Sequence, residues 1–574
     1  MKKKILHISI LILICVIFLL FILNPINQIN SRNKEIIIQD NDNNELMRIV
    51  NNHKISSINI EDIPQINIDI LLAIEDKDFY NHHGFNLTRI FKTIISNIRN
   101  KRVYGASTLT QQYIKNVYLS NEKKLSRKIT EIYYAIKLEQ LLTKEQILTK
   151  YLNCLYFGND IYGLCNASKY YFNKHYSNLT IQEFTTLIAI INAPTYYTNH
   201  LDKLNNRKNV LLKYLYDNNI ISVTDYYISK KPITFKINKQ IYNSNLLHYI
   251  DGVLNEFNTL SIKSNFNEEI TIKTKYNIKT NNINITSNAN YAGIAVDKEG
   301  YIISLIGNND YYKSTFNIVT KGNRDIGSTI KPLLYYEAIK CGFENQHYYS
   351  SPYSFKYNNE MITIKNYGSS YPNKYISMKE AIATSDNIYA IKTHQALGFK
   401  TLANHLIKYN IHAKSLPSLA LGSVGMSLWQ LTRIYSQFFT EGKYLNFQYI
   451  TEVLIDNKTC YKSKPLISSL GNSEIFTKIK NLMSAVFDNN IPHSTASSIS
   501  GNLITKCYGK SGLTDYDSYM MGFSNNILVG AWSGYTDNDK LISIEEKRIP
   551  KQLFVELINI NEKEPNHSKI DPIK

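Results

Sequence analysis

The sequence predicts a multidomain fold: an N-terminal transmembrane helix, a mostly α-helical domain, and an α/β domain with a central antiparallel sheet. Three observations predict it. The chain has 574 residues, too many for one ordinary core. An apolar run without Asp, Glu, Lys or Arg extends from Ile5 to Leu23. Beyond it the periodicity changes from helical to irregular near residue 226, and to alternating strands interleaved with helices near residue 289.

Taken in order, residues 1–4 form a cytoplasmic tail whose Lys2, Lys3 and Lys4 favour an inward N-terminus. Residues 5–24 form the membrane anchor. Asn24-Pro25-Ile26 follow it with no small-residue cleavage site, which favours an uncleaved anchor over a signal peptide. The expected location is the plasma (inner) membrane, spanned once, with the remaining domains outside the cytoplasm. Residues 25–66 read as a stalk with a strand at Glu35–Gln39. The helical domain, 67–225, carries capping boxes at Thr143/Gln146 and Thr180/Glu183. Residues 226–288 lack strong helical periodicity and read as a linker region with some strand. In the α/β domain, 289–545, Ala292–Asp297 with Tyr301–Gly307 and Met520–Phe523 with Ile527–Tyr535 predict two hairpins. Capping boxes at Ser377/Glu380 and Ser427/Gln430 mark helices between them. Residues 546–574, charged and carrying two prolines after a further one near their start, read as a loosely ordered C-terminal tail.

The formal net charge is +18, so the natural partners are anions. No zinc-finger, RNP or basic-zipper pattern accompanies the charge, which argues against nucleic acid. An anionic membrane and a phosphorylated lipid fit better. The six cysteines have no metal-ligand spacing. Cys154 and Cys165 read as unpaired thiols more readily than as a disulfide.

Two constellations carry chemistry. The first begins with the acidic cluster Glu75-Asp76-Lys77-Asp78 beside Phe79, His82 and Gly84. Gly105-Ala106-Ser107-Thr108-Leu109-Thr110-Gln111-Gln112 and Lys115-Asn116 follow, then a cationic strip of Lys123, Lys124, Arg127 and Lys128 before Glu131. A cationic strip near two carboxylates suits an anionic leaving group, with one carboxylate left to act as a base. These segments resemble the glycosyltransferase family 51 domain of class A penicillin-binding proteins, whose EDxxFxxHxG, GxSTxTQQxxKN and RKxxE motifs are met at every fixed position. The likeness runs in order from residue 67 to about 200.

The resemblance implies a lysozyme-like domain that polymerises lipid II with inversion at the anomeric carbon. It assigns Glu75 as general base on the acceptor 4-hydroxyl and Glu131 to assist diphosphate departure, directly or through a divalent cation (Mg or Mn). It assigns Gln111, Gln112, Lys115, Lys123 and Arg127 to substrate binding. Lys123 stands where many relatives carry Arg, and Asn159-Asp160 occupy a loop often richer in glycine.

The second constellation is Ser328-Thr329-Ile330-Lys331, Ser385-Asp386-Asn387 and Lys510-Ser511-Gly512. A hydroxyl and an amine three residues apart at a helix start share one face. The ordered trio, with Arg324, Leu421-Gly422-Ser423 and Gly530-Ala531-Trp532 around it, resembles the SxxK, SxN and KTG or KSG motifs of penicillin-binding transpeptidases. The resemblance implies a serine β-lactamase-like fold and a serine acyl-enzyme. Ser328 is then the nucleophile, Lys331 its base, Ser385 the proton relay and Lys510 the cation near substrate. Asn387, Ser511, Gly512, Leu513 and Thr514 bind peptide, and no cofactor is needed. Leu513 replaces the expected second hydroxyl residue of KTGTT, and Tyr519 stands where Trp is common.

The implied function is a bifunctional peptidoglycan synthase that polymerises lipid II and cross-links stem peptides. The implied partners are lipid II and nascent glycan strands, D-Ala–D-Ala stem peptides, β-lactams as inhibitors, and wall-synthesis proteins; nucleic acid is not among them. Two alternatives stand beside it: a polymerase whose second domain is mainly a D,D-carboxypeptidase or muropeptide sensor, and a non-catalytic scaffold.

Overall fold

The computed structural model describes residues 35–86, 107–119, 125–264, 267–469 and 471–562. The predicted tail and anchor at 1–24 lie outside these residues. Among the described residues no helix is long and apolar enough to cross a membrane.

The helical domain is built around its own core. Helices Gln65–Glu75, Leu109–Tyr118, Lys144–Cys154 and Ile181–Ile191 bury Leu71, Tyr113, Ile114, Leu148, Tyr151, Phe184 and Leu187 together. Both predicted capping boxes form, and a third joins Thr108 and Gln111. Each supplies partners for helix-start amides that have none within the helix.

The α/β domain is built on a five-stranded antiparallel sheet. Its order is Tyr508–Leu513, Asp517–Phe523, Ile527–Gly534, Asn290–Asp297, Ile302–Ile306. Both predicted hairpins are present, and chain-distant strands meet where Ile527–Gly534 pairs with Asn290–Asp297. Helices Lys331–Lys340 and Leu428–Phe439 belong to the large core that includes Ile294, Leu333, Tyr435 and Trp532.

Two expectations are corrected. Residues 544–562 are not a loose tail but one helix, Ile544–Glu562, with Pro550 inside it. Its Leu553, Phe554, Leu557 and Ile558 are fully buried in a core shared with Ala295, Val529 and Ala531 of the sheet. Those positions repeat at helical spacing, but charged residues at both ends of the helix, from Glu545 to Lys551 and at Glu562, mask the stripe. The predicted linker region also contains a helix, Ser244–Thr259, capped by Asn243 and burying Leu246, Tyr249, Ile250, Val253 and Phe257. Its apolar stripe is continuous, with Asn255 and Asn258 on the exposed face.

A six-stranded sheet joins segments far apart in sequence. Its order is Lys458–Lys462, Ile450–Ile455, Ile270–Thr274, Glu35–Gln39, Glu45–Val50, His53–Ile55. Stalk, linker and an excursion from the α/β domain therefore form one unit. Glu35 pairs there with Arg48 and with Lys150 of the helical domain. Burial alone would raise the Glu35 carboxyl, but Lys150 and Arg48 outweigh it and hold the group below its usual range. Lys54 likewise reaches Asp251 at 2.5 Å.

Candidate active sites

In the helical domain, the paired acids have separate surroundings. Asp76 is fully buried; its Oδ2 accepts from Leu109 N at 2.9 Å and contacts His82 Nε2 at 2.9 Å. It therefore ties the first motif to the start of the second. Glu75 is partly exposed at the end of its helix, and Gln112 Nε2 donates to its Oε2 at 3.0 Å. Tyr151 OH in turn donates to Gln112 Oε1 at 3.2 Å. The amide is thus oriented to steady a carboxylate that remains open on one side.

Glu131 lies 2% exposed, with Arg127 Nη1 at 2.7 Å from one oxygen and Lys128 Nζ at 2.6 Å from the other. Lys128 also donates to Ser107 Oγ at 2.7 Å, so the second and third motifs meet. With both carboxylate oxygens facing cations, this donor set does not suit a resident divalent ion. Among the described residues no group of three His, Cys, Asp or Glu side chains is arranged to hold a metal.

Gln111 also serves the fold: its Oε1 accepts from Thr108 N at 2.9 Å and caps the helix, the residue is 1% exposed, and its Nε2 has no partner among the described residues. Lys115 lies one turn beyond Gln112 and is partly exposed. Lys123 lies outside the described residues. Asn159 and Asp160 both adopt left-handed conformations, with φ of 52° and 58°, between Gly158 and Ile161. A two-residue turn of this kind admits Asn and Asp almost as readily as Gly, which accounts for the departure in that loop. Cys154 and Cys165 are free thiols.

The second site gathers its three motifs. Ser328 lies in the turn Gly327–Ile330 that leads into helix Lys331–Lys340. Gly422 permits this turn: a Cβ there would sit 1.9 Å from Gly327 O. Gly512 does the same from the edge strand, since its Cβ would meet Thr329 Cγ2 at 2.6 Å. The Leu513 amide lies against Gly327, where an added Cβ would be 3.2 Å from Leu513 N.

Lys331 is fully buried, and its Nζ lies 2.7 Å from Ser385 O, 3.3 Å from Ser385 Oγ, 3.3 Å from Asp386 O and 2.8 Å from Asn387 Oδ1. Its hydrogen bonds thus go to the second motif and not to Ser328, whose hydroxyl has none among the described residues. Burial pushes the Lys331 amine down to about 7, against the opposing pull of the Asp386 carboxylate. Lys510 is also fully buried and donates to Ser511 O at 2.8 Å. Burial, then Lys331 and Lys551, hold Lys510 well below the usual lysine range.

Ser385 ends helix Met378–Thr384 in a left-handed conformation, φ 59°, and Asp386 caps the following helix through Tyr389 N at 2.7 Å. A non-glycine residue held there is strained and needs support from its surroundings. Asn366, Lys365 and Ser350 all bond to this motif. They carry no motif spacing, so nothing in the sequence marked them. Both ends of the Asn387 amide are engaged, Oδ1 by Lys331 and Nδ2 by Lys365 O at 2.9 Å. Ser511 is partly exposed beside Lys510. Thr514 is partly exposed, and its hydroxyl accepts from Asp517 N at 2.9 Å and Tyr516 N at 3.1 Å, closing the hairpin turn. Tyr519 is buried opposite Trp532 in the sheet.

Residues 42–216 match the family model described as Transglycosylase, and residues 291–542 match that of the Penicillin binding protein transpeptidase domain. Penicillin-binding protein 2D of Bacillus subtilis is 31% identical over 528 residues, covering 87% of this chain and 76% of the relative. Penicillin-binding protein 1F of the same organism is 29% identical, covering 97% and 83%. The crystal structure of Penicillin-Binding Protein 1A from Haemophilus influenzae superposes with a TM-score of 0.58 at 16% identity, covering 94% of each chain, and so shares the fold.

Proposed function

We propose a residue-level mechanism for this chain, which belongs to the class A penicillin-binding proteins and combines a peptidoglycan glycosyltransferase with a D,D-transpeptidase. In polymerisation, Glu75 takes the proton of the acceptor 4-hydroxyl as that oxygen attacks the anomeric carbon of the donor. Gln112, itself held by Tyr151, orients the carboxylate for this. The leaving diphosphate is already stable as an anion, so charge neutralisation does the rest. Arg127 and Lys128, drawn together by Glu131, supply it.

In transpeptidation, neutral Lys331 takes the proton of Ser328 as its Oγ attacks the carbonyl of the penultimate D-Ala. The backbone amides of Ser328 and Leu513 receive the developing oxyanion. Breaking the C–N bond releases D-Ala, with the proton returned through Ser385, and leaves an acyl-serine that the amine of a second stem peptide resolves. A substrate carboxylate near Ser511 favours the proton on Lys510, which leaves Lys331 free to act as base.

The observation that carries this reading is the buried Lys331 amine, held near neutrality and bonded to Ser385 and Asn387. We further assign residues 5–24 as a single-pass anchor that keeps both sites outside the cytoplasm, at the membrane surface where lipid II resides. The deciding experiment incubates the anchored protein with lipid II and analyses glycan length and cross-links. Glu75→Gln is expected to stop glycan synthesis and retain penicillin labelling. Ser328→Ala is expected to do the reverse. Uncross-linked tetrapeptide stems with released D-Ala would instead identify a carboxypeptidase, and labelling of Ser328→Ala would sink the nucleophile assignment.

A further inference from the structure

The second transpeptidase motif is gripped by a side chain outside all three motifs. Asn366 Nδ2 donates to Asp386 Oδ2 at 2.7 Å and to Ser370 O at 3.1 Å, while its Oδ1 accepts from Asn387 N at 2.8 Å. Both amide hydrogens and the carbonyl of Asn366 are therefore used, and two of its three bonds reach the motif. The preceding carbonyl, Lys365 O, accepts from Asn387 Nδ2 at 2.9 Å. Ser350 Oγ donates to the same Asp386 oxygen at 2.5 Å.

These bonds constrain two features on which the reaction depends. Ser385 holds its left-handed conformation between one helix that ends at Thr384 and another that begins at Asn387. Asn366 fixes the two residues that follow it. The amide of Asn387 must also face one way, because its Oδ1 accepts from Lys331 Nζ. Turned over, Asn387 would set its Nδ2 donor against the Lys331 amine and occupy the lone pair that must take the Ser328 proton. Lys365 O prevents this by holding Nδ2 on the far side.

We propose that Asn366 is a positioning residue for acylation: by bridging Asp386 and the Asn387 backbone it holds Ser385 and the Asn387 carbonyl in register with Lys331. This rests on the assignment of Ser328 and Lys331 made above. The test uses full-length protein in detergent and a fluorescent penicillin, resolving the acylation rate constant from the affinity across about pH 6 to 9. Glycan synthesis from lipid II serves as the folding control. Asn366→Ala is expected to lower the rate constant about 10- to 100-fold, shift the acid limb of its pH profile, and leave affinity and glycan synthesis nearly unchanged.

Asn366→Asp alone sets two carboxylates face to face and is expected to be slow as well. Combined with Asp386→Asn it exchanges donor and acceptor and keeps the bond to Asn387 N while giving up the bond to Ser370 O, and part of the rate is expected to return. A rate within twofold of the unsubstituted enzyme for Asn366→Ala, or a double variant no faster than Asn366→Asp, would overturn the proposal. Continued labelling of Ser328→Ala would instead overturn the nucleophile assignment beneath it, so the two failures are distinguishable.

Discussion

The Lys331 amine makes a quantitative demand on the pH dependence of acylation. Its ordinary value of 10.5 is lowered to about 7 by burial. Only the neutral form can accept the Ser328 proton. The neutral fraction is then about one-tenth at pH 6 and about nine-tenths at pH 8, so the acylation rate constant should rise nearly tenfold and level off. An amine left near 10.5 would instead give a rate climbing tenfold per pH unit through the same range.

The stability sign follows from the same shift. Between pH 7 and 10.5 the unfolded chain carries a proton on this lysine that the folded chain lacks. Folding is therefore disfavoured by roughly 5 kcal/mol below the folded value, and this penalty fades as pH rises through the window. The measurement is quenched-flow acylation with a pH-insensitive fluorescent penicillin, with unfolding midpoints recorded in the same buffers. A rate that is flat from pH 6 to 8, or one still rising in proportion to hydroxide at pH 9, would refute the assignment of a neutral Lys331 base.

Three further outcomes are expected. Glu131→Gln removes the carboxylate that holds Arg127 and Lys128 together, and glycan synthesis should fall about a hundredfold or more with penicillin labelling intact. Gly422→Ala places a methyl 1.9 Å from Gly327 O and at a φ of +85°, so labelling of Ser328 should drop at least about tenfold while polymerisation continues. Phe554→Ala hollows the core beneath the five-stranded sheet and should destabilise the transpeptidase domain by about 3–5 kcal/mol, read from its unfolding transition; an unchanged transition would return residues 544–562 to the status of a tail.

The chemistry was legible where it is locally encoded. Thr108 with Gln111, Thr143 with Gln146, and Ser377 with Glu380 set helix starts through contacts three residues apart. The spacing of Ser328 and Lys331 likewise places two groups at one helix start. Hairpins at Asn290–Ile306 and Asp517–Gly534 follow from strand-forming runs on either side of the short turns Lys298-Glu299-Gly300 and Ser524-Asn525-Asn526. Residue type and spacing alone left both motifs weak; the resemblance of the ordered motifs to those of penicillin-binding proteins assigned roles to Glu75, Ser328, Lys331, Ser385 and Lys510.

What the sequence by itself determined is thus the two sets of reacting groups, their order, and the local elements that carry them. Tertiary structure alone decided how each group is tuned. It separated Glu75, open beside Gln112, from Asp76, buried as a tie between motifs. It gave Gln111 a part in capping its helix and Thr514 a part in closing a hairpin turn. It placed Lys331 in full burial against Ser385 and Asn387, and brought Asn366 to the same motif. It folded the stalk, the linker and Ile450–Lys462 into one sheet, and packed Ile544–Glu562 onto another. The physical reason is that spacing along the chain encodes contacts within a turn or a hairpin. Desolvation, which sets the Lys331 base, depends on everything that surrounds a group in space.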